Sequence, residues 1–312
     1  DLEVSVVKVN GQGERLWWRS YGGDADDIGY AAIEADNGDL LVAGSTRSYG
    51  AGAEDMVLYR LDADGDEQWR QTYGLSSLEA AYDIIAAGTT GFLLVGESRS
   101  YGPDFTDAYL VKVDDEGDAL DGWPKRIAGP GRNVARAVCK TKDGGYALAG
   151  YTSTPTGGIA NDLYLAKIND GGALQWEKTY GGQGDDRGYD LVENSAGALL
   201  VCGQYTTNTI TAMDMLLAEF DKDGNVTRAT TFGGGRREKG CAIAAVSGGY
   251  LLLGGIISSS NKEDFYLVKA TPTGDTYWSR TFGGLEDDVP AGLTEGGGGF
   301  LLAGTTASFT AG

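Results

Sequence analysis

The chain of 312 residues carries 25 Lys and Arg against 45 Asp and Glu, which is a formal net charge of -20. This acidity excludes a nucleic-acid backbone as the main partner, and the absence of any apolar run of about 18 residues excludes membrane insertion. The chain has no histidine, so Ser-His-Asp catalysis and histidine-ligated zinc are excluded as well.

Strand patterns begin at the first residues and continue in chain order. The opening segment EVSVVKVNGQGERLWW has the pattern of two strands, and further strands are predicted at 29–35, 39–45, 55–61 and 67–73. Their apolar residues alternate or run continuously, as in half-buried and fully buried strands. The turns DNG and DADG between them supply the positive φ that a tight hairpin needs. These segments therefore predict antiparallel strands joined by short hairpins.

The same four-strand unit recurs along the chain. Each copy is anchored by an aromatic residue before a glycine pair, with isoleucine as a substitute in the third copy: Tyr21, Tyr73, Ile127, Tyr180, Phe232 and Phe282. Consecutive anchors are 50 to 54 residues apart. Four antiparallel strands repeated at this spacing are typical of a β-propeller. We therefore predict an all-β, six-bladed β-propeller that occupies residues 1–312 as a single domain.

The two ends of the chain predict how the ring closes. The last unit, residues 282–312, contains only the first two strands of a blade, whereas residues 1–21 match a third and a fourth strand. A blade that is completed from both termini protects the open sheet edges of a propeller. We expect blade six to be shared between residues 1–21 and 282–312.

The repeats also resemble a known class. The segments SYGGDADDIGYAAIEADNGDLLVAGSTRS and TYGGQGDDRGYDLVENSAGALLVCGQYTT resemble the β-propeller repeats of large secreted and cell-surface proteins of bacteria and archaea, with the pattern GG..DD.G......D..G...V.G.T.S. The resemblance covers nearly the whole chain and is weak in the third unit, where RIAGPGRNVARAV lacks both aspartates. It implies a propeller in an extracellular or cell-surface location, and it does not imply a catalytic activity.

Acidic residues that follow the glycine pair in three units form the first candidate site. Aspartate at this position can accept backbone N–H bonds and hold the turn into the inner strand. Clustered carboxylates can instead bind Ca²⁺ together with backbone carbonyls. The candidate calcium ligands are Asp24, Asp26, Asp27, Asp185, Asp186, Glu286, Asp287 and Asp288. Both interpretations stay open at this point.

A second acidic position is filled in all six units, five residues before a charged residue of the third strand: Glu3, Asp55, Asp107, Asp162, Asp214 and Asp264. A residue type required in every blade indicates a role in the fold, such as binding the backbone of the neighbouring blade.

Candidate interface residues are Arg236, Arg237 and Lys239, which form one basic sector. Trp18 is a further candidate, because neighbouring residues on a strand face opposite sides and either Trp17 or Trp18 must face outward.

Three functional classes are compatible with these features. We expect first a non-catalytic, secreted or cell-surface propeller that presents its acidic long-loop face to a protein or a glycan. One alternative is a self-assembling structural subunit of an extracellular filament or layer, bound to copies of itself. The other is a calcium-assisted hydrolase or glycosidase that uses the carboxylates of that face. No arginine cluster, nucleophile elbow or cofactor fingerprint accompanies those carboxylates, so the sequence favours a protein that is not an enzyme.

Overall fold

The structure, a computed structural model, describes residues 1–88, 91–101, 106–129, 131–153, 160–206, 213–234, 236–257, 262–296 and 298–308. Every regular element in these ranges is a β-strand, so the all-β prediction is confirmed. Among the described residues no helix has the length and apolar character needed to cross a membrane. The chain divides into two compact units, Asp1–Lys140 and Thr141–Gly312, which we call unit 1 and unit 2.

Unit 1 contains a two-stranded sheet followed by antiparallel four-stranded sheets in chain order. The two-stranded sheet consists of β1 (Val4–Val9) and β2 (Arg15–Tyr21). The first four-stranded sheet consists of β3 (Asp27–Glu34), β4 (Leu40–Thr46), β5 (Asp55–Leu61) and β6 (Glu67–Tyr73). The second consists of β7 (Glu79–Ala86), β8 (Phe92–Ser98), β9 (Asp107–Val113) and β10 (Lys125–Ile127). The unit ends with β11 (Arg132–Lys140).

Unit 2 repeats this architecture and ends with another two-stranded sheet. It begins with β12 (Tyr146–Ser153), β13 (Asp162–Ile168) and β14 (Leu174–Tyr180). Two four-stranded sheets follow, made of β15 (Arg187–Glu193), β16 (Leu199–Thr206), β17 (Met213–Phe220) and β18 (Val226–Phe232), then β19 (Glu238–Val246), β20 (Gly249–Ile257), β21 (Glu263–Ala270) and β22 (Thr276–Phe282). The last sheet pairs β23 (Asp288–Gly296) with β24 (Gly299–Thr306).

Burial follows the hydrophobic pattern of each strand. The second and third strands of a sheet read as continuous apolar runs, and β5, β8 and β9 are buried along their whole length. The fourth strand alternates, as in β6, where most side chains stay partly exposed. A strand covered on both faces is expected to be apolar throughout, whereas an outer strand has one solvated face. The sheets are thus buried at their centre and polar at their outer edge.

The anchor aromatics link consecutive repeats of unit 1, as the sequence predicts. The Tyr21 hydroxyl donates to the carbonyl oxygen of Gly65 at 2.5 Å, and the Tyr73 hydroxyl donates to that of Gly117 at 2.7 Å. Tyr21 also packs against Tyr59 in a core cluster between the β1–β2 and β3–β6 sheets. The outer strands β2 and β6 are therefore each attached to the hairpin of the following repeat by one phenol, which is buried in Tyr21 and partly buried in Tyr73.

The short hairpins form by the turn chemistry read from the sequence. In the turn at 62–66, the Asp62 carboxylate accepts bonds from the N–H groups of Asp64 and Asp66 at 3.0 and 2.9 Å. Gly65 has a φ of 84°. A β-carbon on Gly65 would lie 3.1 Å from the Trp17 ring. The turn therefore also needs a residue without a side chain at this position. The interpretation of this segment as a tight hairpin turn is confirmed.

A β-bulge recurs in the first strand of the sheets. The pairing register shifts between Gly29 and Ala31 in β3, between Ala81 and Asp83 in β7, and between Gly188 and Asp190 in β15. The extra residue in these three bulges is Tyr30, Tyr82 and Tyr189. Bulges re-aim side chains and are frequent beside functional sites. The bulges therefore decide where these tyrosines point.

Most of the longer loops between second and third strands lie partly outside the described residues. This applies to the loops at 97–107, 151–162, 204–214 and 256–264, whereas the loop at 46–55 is described completely. The prediction that the long-loop face presents a ligand site stays a prediction for those loops.

Candidate functional site

The aspartates after the glycine pair bind backbone and hydroxyl groups. The Asp27 carboxylate accepts bonds from the Gly23 N–H at 2.8 Å and from the Ser48 hydroxyl at 2.7 Å. Asp186 accepts bonds from the N–H groups of Gly182 and Thr206, both at 2.7 Å. These are the turn-holding bonds of the structural interpretation. Within the described residues no group of three or more His, Cys, Asp or Glu side chains is placed to hold a metal ion.

The other candidate calcium ligands also have protein partners or face solvent. Asp24 is exposed, and Asp26 accepts a bond from the Leu2 N–H at 2.8 Å. Asp185 accepts bonds from the side chains of Asn161 and Arg187. In the last repeat, Glu286 pairs with Lys262 at 2.8 Å, Asp287 accepts a bond from the Glu263 N–H, and Asp288 accepts bonds from Gly284 and Ser308. Each of these acids except Asp24 therefore has a protein partner, and several of the partners lie outside the turn of the acid.

The acids at the start of the third strands lie beside the acid that begins the next repeat. Asp55 lies against Glu79, Asp162 against Asp186, and Asp214 against Glu238, with a glycine between the members of each pair. Burial raises the pKa of Asp55, Asp162 and Glu238, and the neighbouring carboxylate raises the pKa of Asp55 and Glu238 further. Burial and the negative charge of Asp288 raise the pKa of Asp264, Asp107 lies near Arg126, and Glu3 is exposed.

The candidate interface residues have different surroundings. Arg236 and Arg237 are exposed, whereas Lys239 forms an ion pair with Glu263 at 3.4 Å and is only partly available to a partner. Trp18 is 53% exposed and Trp17 is partly buried, so the expectation that one of the two tryptophans faces outward is confirmed.

A cluster that the sequence analysis did not single out lies on the inner strands of unit 1. Glu97, near the end of β8, is only 3% exposed. Its Oε1 atom accepts a bond from the Tyr82 hydroxyl at 2.5 Å, and its Oε2 atom accepts one from the Arg132 guanidinium at 3.1 Å. A buried carboxylate needs such partners because an isolated charge in the interior is costly. Glu97 is thus a buried acid with both oxygens oriented by fixed donors.

Two further side chains extend this cluster, which we call the Glu97 site. The Arg136 guanidinium stacks on the Tyr82 ring, 3.9 Å from its centroid. Tyr30 meets the same ring edge to face at 5.0 Å and is itself 41% exposed. Stacking uses the face of a guanidinium and leaves its in-plane N–H groups able to donate to an anion. The site therefore combines a carboxylate, two guanidinium groups and an accessible aromatic ring.

The electrostatics of the site keep its phenols neutral. Burial raises the pKa of Tyr82, and the negative charge of Glu97 raises it further. Burial also raises the pKa of Tyr30, although a hydrogen bond with Ser45 acts in the opposite direction. A neutral phenol remains a hydrogen-bond donor at physiological pH. Tyr82 can therefore hold the Glu97 carboxylate in one orientation as a hydrogen-bond donor.

The corresponding place in unit 2 carries a neutral version of the same arrangement. The Tyr189 hydroxyl donates to the Gln204 side chain at 3.0 Å, where Tyr82 donates to Glu97 in unit 1. Arg187 stacks on the Tyr151 ring at 4.6 Å and pairs with Asp185 at 2.9 Å. Gln204 cannot act as a base, and the carboxylate of the unit 2 arrangement, Asp185, instead pairs with Arg187.

The sequence contains weak signals for the Glu97 site. The repeat motif places a tyrosine after the bulge in the segments GYAAI, AYDII and GYDLV, and Glu97 interrupts an otherwise apolar strand in FLLVGES. Arg132 and Arg136 lie in RNVARAV, the segment of the third unit that departs from the repeat by lacking both aspartates. That departure was the signal that could have indicated a specialised position.

Comparisons with known proteins add information on the fold. No family model matches the chain. Residues of this chain are 30% identical over 150 positions to a regulatory protein, FlaEY, of Caulobacter vibrioides, a match that covers 41% of this chain and 15% of that protein. The chain therefore spans a small part of this relative's length.

Solved structures are similar along nearly the whole chain. A periplasmic gluconolactonase of Pseudomonas aeruginosa is similar with a TM-score of 0.57 and 13% identity, covering 97% of this chain and 89% of that one. A candidate 6-phosphogluconolactonase of Bacteroides fragilis is similar with a TM-score of 0.57 and 14% identity, covering 94% and 81%. At this identity the likeness shows a propeller-like fold and nothing finer.

The expectation of a non-catalytic binding module is corrected by these comparisons. Three similar structures, which cover 94 to 97% of this chain, are named as a gluconolactonase and two candidate 6-phosphogluconolactonases and not as binding modules. The only carboxylates considered for catalysis from the sequence were those of the turns. The buried acid with adjacent arginines is assembled from three separate segments of unit 1.

Proposed function

We propose that this protein is a hydrolase that opens a sugar-derived lactone at the Glu97 site. The observation that carries the proposal is the Glu97 carboxylate, which is almost fully buried and held by Tyr82 and Arg132. A positioned carboxylate next to guanidinium groups can serve as a general base beside an anion-stabilising group. The likeness to structures named as a gluconolactonase and a candidate 6-phosphogluconolactonase supports this reaction class.

In the proposed reaction, the lactone ring lies on the exposed face of Tyr30, with its carbonyl group toward Arg136. Glu97 accepts a proton from a water molecule while the water oxygen attacks the carbonyl carbon. The carbonyl oxygen becomes an oxyanion, and the N–H groups of Arg136 stabilise its charge. The ring C–O bond then breaks, and the leaving alkoxide takes the proton from Glu97. One water is added across the ester bond, and the product is a hydroxy acid.

The test is hydrolysis of gluconolactone, followed as acid release and corrected for the spontaneous reaction. Replacing Glu97 with glutamine keeps the shape of the side chain and removes the base, so kcat should fall by about 10² to 10⁴. Replacing Arg136 with lysine removes the planar stacked group and should lower kcat/KM. If the wild-type protein does not accelerate hydrolysis, or if Glu97→Gln retains full activity, the proposal is wrong.

A matched pair of phenol variants controls for general effects on the fold. Tyr82 and Tyr189 occupy equivalent bulges, and each donates to the residue fifteen positions later. Tyr82→Phe should reduce kcat because Glu97 loses an orienting donor. Tyr189→Phe should leave kcat unchanged. Equal losses in the two variants would show that the effect is structural and not specific to Glu97.

We also infer that the strands form a closed ring of six blades, with β1 and β2 completing the blade begun by β23 and β24. In the described residues, β1 pairs only with β2, and β24 pairs only with β23. Val7 and Leu301 are about half exposed on these open edges. Exposed apolar edge strands favour pairing with a further strand.

Closure can be tested with a double-cysteine variant. Ala303 and Val6 correspond in the repeat to Ala43 and Leu58, which are cross-strand partners in the first four-stranded sheet. In a background without the native cysteines, Val6→Cys with Ala303→Cys should form a disulfide within one chain. A disulfide between chains would contradict closure and support the self-assembling subunit. Failure to form either disulfide would contradict pairing of these edges.

We propose an extracytoplasmic location for the protein. The periplasmic location in the name of the similar gluconolactonase supports it, as does the resemblance of the repeats to those of secreted proteins. Fractionation of cells that express the native gene would test this, and recovery in the cytoplasm alone would contradict it.

A further inference from the structure

Two buried carboxylates of unit 1 lie on either side of one glycine: Asp55, where the completely described long loop ends, and Glu79, at the start of β7. Asp55 is 1% exposed and Glu79 is 0% exposed. Both of their side chains lie against Gly74, and the Glu79 Oε2 atom is 2.9 Å from the point that a β-carbon on Gly74 would occupy. Among the described residues, no lysine or arginine forms an ion pair with either acid. Two neighbouring buried carboxylates without a cation are unfavourable if both are ionised.

The hydrogen bonds of this pair leave one oxygen without a donor. The Glu79 oxygens accept bonds from the Leu75 N–H at 2.9 Å and from the Ser98 hydroxyl at 2.6 Å. The Asp55 Oδ2 atom accepts a bond from the Gly52 N–H at 2.9 Å. The Asp55 Oδ1 atom is buried and has no hydrogen-bond partner. An unpartnered buried carboxylate oxygen requires an explanation, of which an ion is one.

The backbone beside this oxygen provides further oxygen ligands. A β-carbon on Gly52 would lie 2.7 Å from the Leu75 carbonyl oxygen, 2.8 Å from the Ser77 carbonyl oxygen and 3.4 Å from Asp55 Oδ1. Three oxygens therefore surround a space that any side chain at position 52 would enter. The Ser77 carbonyl oxygen also accepts bonds from two loop N–H groups, so its position is fixed. Hard divalent cations bind sets of carboxylate and carbonyl oxygens of this kind.

We propose that Asp55, Glu79 and the carbonyl oxygens of Leu75 and Ser77 bind a hard divalent cation, with Ca²⁺ as the best match. The site combines the acid that begins a third strand, Asp55, with the acid that begins the next inner strand, Glu79, and neither is among the calcium ligands expected from the sequence. A cation there neutralises the paired carboxylates and joins the loop at 46–55 to the turn at 74–79. The proposal does not depend on the hydrolase activity.

The next repeat of unit 1 lacks the second acid and supplies a control. At the corresponding positions, Asp107 has Arg126 at 3.5 Å, and Asn133 replaces the second acid. One carboxylate beside one guanidinium is already neutral as a pair and does not need a cation. Asp107→Asn therefore alters the same structural position without touching the proposed site.

The experiment measures calcium binding by the purified chain after treatment with a chelator. Thermal unfolding is followed during a CaCl₂ titration, and terbium luminescence excited through the aromatic residues reports occupancy directly. A ligand that binds only the folded state raises Tm with a saturating dependence on its concentration. We expect such a rise in the wild-type protein, and displacement of bound terbium by calcium.

Two substitutions test the site itself. Asp55→Asn removes a charge with little change in shape, and Gly52→Ala places a methyl group among the ligand oxygens; each should weaken calcium affinity at least tenfold. Asp107→Asn and Gly11→Ala, whose new methyl group meets open space, should retain the wild-type affinity. A wild-type Tm that does not respond to calcium, as expected if the two carboxyls share a proton instead, overturns the proposal. Equal affinity in Asp55→Asn and the wild-type protein also overturns it.

Discussion

The pH dependence of stability should be controlled in part by Asp83, the residue that follows the bulge in β7. Its carboxylate accepts bonds from the Ile84 N–H and, across to the next repeat, from the Val138 N–H, each at 2.8 Å. Burial nevertheless dominates and raises the pKa of Asp83 from 3.8 to about 6. The folded protein therefore binds this proton more tightly than the unfolded chain does. Asp83 stabilises the fold most when it is protonated.

The magnitude follows from the linkage between proton binding and folding. Between about pH 4 and about pH 6 the folded state holds a proton that the unfolded state has lost, so stability falls as the pH rises. At about 1.4 kcal/mol per pH unit, a pKa raised from 3.8 to about 6 corresponds to a loss of about 3 kcal/mol, complete above pH ~6. Because Asp83 keeps a minor part of its surface exposed, solvent screening makes this value an upper bound.

The assay is urea unfolding followed by tryptophan fluorescence at several values between about pH 4 and about pH 7. Asp83→Asn removes the titration and one of two acceptors, so the variant should be less stable than the wild-type protein in mild acid. Relative to the wild-type protein, the free energy of unfolding of the variant should rise by about 1 to 3 kcal/mol between mild acid and neutral pH. The exposed residue Asp36, changed to asparagine, is the control. A deficit for Asp83→Asn that stays constant over the whole range would refute the reasoning.

Two further predictions concern unit 2. Gly224→Ala and Gly197→Ala both place an alanine at a positive φ, 77° and 84°, which costs about 1 to 2 kcal/mol. Only Gly224→Ala also places a methyl group 2.6 Å from the Trp176 ring. Chemical denaturation should therefore show that Gly224→Ala is less stable than Gly197→Ala. Bonds from Thr141 and Lys167 lower the pKa of Asp143 to about 2, so its contribution to stability is lost as the pH falls from about 4 through 2. Asp143→Asn should make acid unfolding less dependent on pH over that range, whereas an unchanged dependence would exclude this ion pair as a cause.

The repeat architecture could be predicted because each of its determinants is local. The glycine of a hairpin such as Gly65 is required by the φ of its own turn, and the apolar run of a strand such as β5 reflects its own burial. The aspartates after the glycine pairs could hold a turn or bind calcium, and the local sequence does not distinguish these two roles. In the structure, Asp27 and Asp186 bind neighbouring N–H and hydroxyl groups.

The Glu97 site could not be predicted in the same way. Glu97 and Arg132 are 35 positions apart and meet only when consecutive sheets pack. The direction of Tyr82 depends on a one-residue bulge, which reverses the face on which a strand residue lies. A sequence read strand by strand assigns Tyr82 and Arg136 to the interior without showing that they stack on each other.

The sequence by itself determined the repeat length, the strand order and the hairpin turns, since hydrogen bonding within a turn and burial of a strand depend on nearby residues. Only the tertiary structure decided which acids are paired, which are held by arginine, and which titrate far from their ordinary pKa. The physical reason is that desolvation and charge interactions act through space over a few ångströms. In this chain those few ångströms separate residues of different repeats, such as Asp55 and Glu79.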